Sequence, residues 1–237
     1  MRRTLVSPVA VIVAVALLVS GCVVTPTPTA PTAPQPTTDR IDRSNAQANF
    51  RTAVARVEPV AEQVCRQSRQ GNCDFLIRVD PNPRAPANAF QSLAPNGRPL
   101  LTFTQALIAD TRNIDEIAFV IAHEAAHHIA DHIARQRNNA ATGAIIGTVI
   151  GAASGLDRGT ADQLARAGAQ VGARRYSKDF ELEADALGTR IAARAGFDPV
   201  RGAAYFARIP DPGDRFLGTH PPNAQRVEIV RRTAASL

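Results

Sequence analysis

Two histidines four residues apart bracket a glutamate in the run His123-Glu124-Ala125-Ala126-His127. On a helix this spacing stands both imidazoles on one face, one turn apart, where they can share a single cation. Glu124 lies beside that face, placed to act as general base toward a water that the cation activates. The third ligand must come from elsewhere. A third histidine in the pattern HExxHxxGxxH would need Gly at 130 and His at 133, but the chain has Ala130 and Ile133, and His132 is one residue out of phase. His128 and His132 fall on neighbouring faces and read as surface or supporting residues. Further along, Glu181-Leu182-Glu183-Ala184-Asp185 opens another helical stretch. Glu181 and Asp185 share a face at i and i+4, while Glu183 is rotated away by roughly 200°. Glu181 therefore completes the ligand set, and Asp185 can accept the spare ring N–H of a ligating histidine. Alone, such an acidic run would be a solvated helix face; with two histidines in search of a third donor, it becomes a candidate metal centre. One Zn2+ per chain is the expected ion, since it suits two imidazoles, a carboxylate and water.

These residues need elements to hold them. Asn113, with Glu116 three residues on, is a capping box, and Ile117, Val120 and Ile121 carry its helix to about Gln136. A long helix precedes it over 40–70, with Gly71 as its stop. Short strands are expected at 75–79, 89–93 and 100–104, separated by Pro, Asn and Gly turns. Further helices fit 140–153, 160–173, 178–195 and 198–209, and a last one starts at Pro221-Pro222. The expected fold is α+β, mostly helical, with a small early β-sheet. Gly143, Gly147, Gly151 and Gly155 recur at four-residue spacing, a stripe that permits close backbone approach. The apolar run around them is shorter than a membrane-crossing helix. It reads as half of a tightly packed helical hairpin covering the active site, with contact to a membrane surface as the alternative.

The start of the chain reads as an address. Arg2 and Arg3 precede an apolar run from Val9 to Val19, too short to cross a bilayer, and then come Val19-Ser20-Gly21-Cys22. That tetrapeptide resembles the lipobox of bacterial lipoproteins. The resemblance implies a signal peptide over 1–21, lipidation of Cys22 and, with Val23 rather than Asp following, transfer to the outer membrane. Residues 22–39, rich in Thr and Pro, form a semi-rigid extended spacer, and 40–237 form the catalytic domain. In an oxidising compartment Cys65 and Cys73 can bridge, tying the first helix to the following strand; two separate buried thiols are the other reading.

Composition narrows the rest. The 237 residues carry a net charge of +6, which alone would admit nucleic acid or anionic lipid. No finger spacing, aromatic sheet motif or basic helix of a nucleic-acid module accompanies it. With no Trp and two Tyr, an aromatic stacking platform is also unexpected.

From Asn88 to Arg226 the chain resembles the HtpX/BepA-type zinc metallopeptidases, the family that includes the CAAX prenyl proteases. The resemblance rests on Asn88-Ala89-Phe90, the stretch from Asp115 to His127, the run YSKDFELEADALG from Tyr176 to Gly188, and Thr219-His220-Pro221-Pro222 with Arg226. It departs from the family pattern at Lys178 and Ala125, neither a proposed ligand. It implies a gluzincin-type fold and proteolysis, and it adds His220 and Arg226 to the site. Arg226 would be a cationic donor for the developing oxyanion. His220 would either share that task or fill the cation's fourth position and keep the protease latent. The expected protein is a zinc endopeptidase on the periplasmic face of the outer membrane, acting on misfolded or unassembled envelope proteins. Leu100–Thr104 is a candidate edge strand to which an extended substrate could add. The alternative is a chaperone-like or assembly-scaffold lipoprotein that seldom cleaves. Neither nucleic acid nor a spanning membrane segment is expected as a partner, and the oligomeric state is left open.

Overall fold

A computed structural model describes residues 45–68, 71–175, 177–211, 213 and 220–237. The expected signal peptide, Cys22 and the Thr/Pro spacer lie outside these residues, as do Tyr176 and Thr219 of the family-like motifs. In chain order the elements are α1 (Ala46–Ser68), β1 (Leu76–Val79), β2 (Ala89–Leu93), β3 (Pro99–Phe103), α2 (Gln105–Asp110) and α3 (Ile114–Ile129). They continue with α4 (His132–Ala153), α5 (Arg158–Arg175), α6 (Ser177–Arg194), α7 (Pro199–Ala203), a 3-10 turn (Ala204–Ala207) and α8 (Asn223–Ala234). Among the described residues this is a mostly helical α+β fold with one small sheet.

Helix α3 is the axis of the domain because its sequence, IDEIAFVIAHEAAHHI, is apolar on nearly every side. Such a helix has no face to give to water and must be surrounded; all of its residues except Ile114 and His127 are buried. Asn113 caps it, its Oδ1 accepting the Glu116 N–H at 3.1 Å. Around it pack α1, through Ala53, Val57, Ala61 and Val64, together with α6, α7 and the sheet. Gly188 on α6 is required here, since a Cβ there would come within 3.1 Å of the His123 backbone. That close approach brings α6 and its carboxylates to the histidines.

Three expectations change. The HExxH helix does not continue to Gln136: Asp131 adopts a left-handed conformation (φ 57°), and α4 starts afresh at His132. Aspartate tolerates that conformation, but nothing in the sequence demands it, so the break left no Pro or Gly to read. The strand at 100–104 is not an edge. The sheet order is β1-β3-β2, with β3 parallel to β1 and antiparallel to β2, so β3 is central and carries the buried Leu101 and Phe103. The single helix expected over 198–209 is α7 followed by a 3-10 turn, and the short α2, capped by the Thr104 hydroxyl, was not anticipated.

Cys65 and Cys73 are bridged, with Cα atoms 5.7 Å apart. Closing so short a loop stabilises the fold by about 2–3 kcal/mol through the entropy of the unfolded chain. The bridged loop also reaches the central helix, where the Asn72 carbonyl lies 2.8 Å from His128 Nε2.

The glycine stripe does form a helical hairpin. A Cβ on Gly143 would lie 2.0 Å from the Gly168 carbonyl oxygen of α5, and one on Gly147 would lie 2.4 Å from that of Leu164. Gly155 plays another part, ending the helix in the left-handed region at φ 64°. Among the described residues of this hairpin only its base, His132, Ile133 and Gln136, lines the groove that holds the histidines.

Candidate active site

A groove of about 660 Å³ runs along α3 between β2, the base of α4, α6 and the start of α8. His123, Glu124, His127, Glu181, His220 and Arg226 all line it. The three expected ligands converge: one donor atom from each of His123, His127 and Glu181 lies within 4.8 Å of the others. His127 Nε2 is 3.0 Å from His123 Nε2. The Glu181 carboxylate oxygens lie 3.3 Å from His127 Nε2 and 3.5 Å from His123 Nε2. Two imidazole nitrogens and a carboxylate facing one another need protons or a cation among them, and this donor set suits zinc.

Each ligand is held from behind. Asp185, fully buried, lies 2.9 Å from His123 Nδ1; it accepts that N–H and so turns Nε2 toward the cluster. Asp185 is in turn gripped by Arg226, whose Nη2 and Nε donate to its two oxygens at 2.7 and 2.8 Å. Burial alone would lower the His123 pKa, but the charge and hydrogen bond of Asp185, with Glu181 helping, raise it to about 10 in the metal-free chain. Burial likewise opposes ionisation of Glu181, yet hydrogen bonds from His123, His127 and His220 hold its carboxyl well below the usual range. Asp185 is also lowered: burial opposes it, and the hydrogen bond and charge of Arg226 outweigh that.

His127 has a different support. Its Nδ1 is 2.8 Å from Nδ1 of His132, whose Nε2 is 3.2 Å from Glu183 Oε2, and Arg135 donates to that same oxygen at 2.8 Å. On a continuous helix, His127 and His132 would point about 140° apart. The left-handed turn at Asp131 brings them together. His132 is buried and stacked on Phe180, with ring centroids 4.5 Å apart. Burial, reinforced by His127, pushes its pKa down to about 4, so it stays neutral and can accept from one side while donating to the other. Glu183, expected to face away from the chemistry, thus ends a relay that fixes His127. His132→Ala is expected to weaken zinc binding about 10–100-fold with the fold retained. Chelator competition alongside circular dichroism measures this, and unchanged affinity would remove the relay from the ligand set.

Glu124 is buried on the groove wall, and among the described residues nothing hydrogen-bonds its carboxylate. His220 sits at the mouth, its side chain half exposed and its Nδ1 3.2 Å from Glu181 Oε2. Arg226 lies deeper, buried, its guanidinium 3.7 Å above the Phe206 ring. Sequence reading missed Arg208, which lines the groove and donates to both oxygens of Glu116, one of them at 2.8 Å. A buried glutamate in the first turn of an apolar helix was the one available signal, since such a charge needs a partner.

A helix bearing HExxH, crossed by a second helix that supplies a glutamate, defines a metallopeptidase centre. The model of Peptidase family M48 matches residues 51–234, most of the chain, and the protein belongs to that family of zinc metallopeptidases. A comparison with curated proteins found no match.

Proposed function

We propose that the protein is a zinc endopeptidase, tethered by a lipid on Cys22 to the periplasmic face of the outer membrane, that cleaves misfolded or unassembled envelope proteins. The observation that carries the reading is the groove itself. It sets the edge strand β2, through Ala89, Phe90 and Gln91, alongside the three-ligand cluster and Glu124. An extended polypeptide can add to that edge by backbone hydrogen bonds, which any unfolded chain offers and a folded one does not. β2 takes the part first assigned to the strand at 100–104. When bound, zinc supplies Lewis acidity toward a water and a peptide carbonyl. His123, His127 and Glu181 hold it, Asp185 and His132 orient the two imidazoles, and Glu124 takes the water's proton and returns it to the leaving amine. The Cys65–Cys73 bridge supports an oxidising compartment.

Incubating the full chain with unfolded casein and with a folded control protein tests the activity. Cleavage should be confined to casein, stop with a chelator and return with zinc; chelator-insensitive or absent cleavage would overturn it. Cys22→Ala should shift the protein out of the outer-membrane fraction, and retention there at the parental level would remove the anchor.

A further inference from the structure

Residues 138–156 contain no charged side chain. Within α4 they turn Gly143, Gly147 and Gly151 toward α5. On the opposite side stand Ile145 and Val149, 64% and 60% exposed, with Ile146 and Ile150 exposed along the flank. Thr148 adds no free polar group, its hydroxyl donating back to the Ala144 carbonyl at 3.0 Å. The other helix of the hairpin differs: α5 exposes Asp162, Gln163, Arg166 and Arg174, with Val171 as its exposed large apolar side chain. The pair therefore has one apolar and one charged side. The apolar side is bounded along the chain by the exposed Arg137 and Arg158.

We propose that the outer face of α4 lies side-on in the interface of an anionic lipid bilayer. Ile145, Ile146, Val149 and Ile150 enter the headgroup–acyl boundary, while Arg137 and Arg158 meet lipid phosphates. Ile146 and Ile150 border a groove of about 460 Å³ with Leu164 and Val171 of α5, whereas Ile145 and Val149 stand on the convex side outside it. With the exposed Thr142 as the polar side chain of this stripe and no backbone edge, the convex face offers little by which a polypeptide is held. Four aliphatic side chains expose a few hundred Å², well short of the roughly 800 Å² per partner of a stable dimer. Among the described residues no helix is long and apolar enough to cross a membrane, which leaves the interfacial mode. Insertion this shallow is weak alone and rests on the Cys22 tether proposed above, which keeps the helix close to the bilayer.

With Cys22 lipidated and Cys65 bridged to Cys73, a Val149→Cys variant of the full chain carries one free thiol for an environment-sensitive dye. The labelled chain is reconstituted into phosphatidylethanolamine–phosphatidylglycerol vesicles, with and without brominated acyl chains. Dye at 149 should be quenched severalfold by brominated lipid, whereas dye at a Glu228→Cys control on the exposed side of α8 should not. Adding Ile145→Glu and Ile150→Glu should abolish quenching at 149 while casein cleavage in solution is unchanged. Quenching no greater at 149 than at 228 overturns the inference. So does 149–149 disulfide cross-linking without quenching, which would make the face a contact between copies, or a spectral shift caused by casein alone. Flotation of the vesicles reads the lipid anchor and quenching reads the helix, so each can fail without the other.

Discussion

Glu124→Gln is expected to leave the fold and the bound zinc intact and to slow peptide hydrolysis about 10²–10⁴-fold, the range of a lost general base. The substitution keeps the shape of a side chain that lies buried beside His123 and removes only its capacity to take a proton. No hydrogen bond among the described residues depends on that carboxylate, so nothing in the ligand set should shift. Metal content and casein turnover, measured on the same preparation, decide the matter. Turnover within a few-fold of the parent would mean that another group activates the water, and Glu124 would then be a wall of the groove rather than its base.

The parts of the site that follow from regular helices were legible in the sequence. His123 and His127 at i and i+4, and Glu181 with Asp185 at the same interval, occupy the faces their spacing requires, and the two helices bring them within reach. The N-cap at Asn113 and the segment β2 were also readable, because a cap and an alternating run bounded by turns are local signals. Glu116, however, accepts from the Arg112 N–H rather than closing the box on Asn113. What escaped depends on departures from regularity or on distant partners. One left-handed aspartate redirects the chain at 131, and with it His132, readable as either a surface or a supporting residue, becomes the support of His127. Strand order is a non-local property. The β3 sequence reads equally well at an edge or in the centre, and only its parallel pairing with β1 decides. The glycine stripe announced a close-packed hairpin, yet its spacing could not say whether that hairpin would lie over the site.

Arg226→Ala is expected to destabilise the protein by about 3–5 kcal/mol, because it strands the Asp185 carboxylate in the interior without its countercharge. Asp185 is fully buried; Arg226 supplies its two shortest contacts, at 2.7 and 2.8 Å, and is the cation that remains when His123, 2.9 Å away, is neutral to hold a metal. The loss should extend to the metal, since the same carboxylate holds His123 Nδ1 at 2.9 Å. Arg226→Lys keeps the charge but not the planar fork, so it should recover only part of the loss. Combining Arg226→Ala with Asp185→Asn should also recover stability, by removing the stranded charge. Denaturant unfolding and chelator competition on the three variants and the parent read these effects. An oxyanion donor would behave differently. With Nε and one N–H of Nη2 engaged by Asp185, Arg226 could serve that task with the second N–H of Nη2, which lies 3.5 Å from Glu181 Oε2, or with Nη1. Its removal would then cost about 10²–10³ in kcat while stability and zinc stayed at parental values. The bidentate grip on Asp185 favours the first outcome: stability, zinc affinity and activity fall together, and the double variant restores stability without restoring turnover.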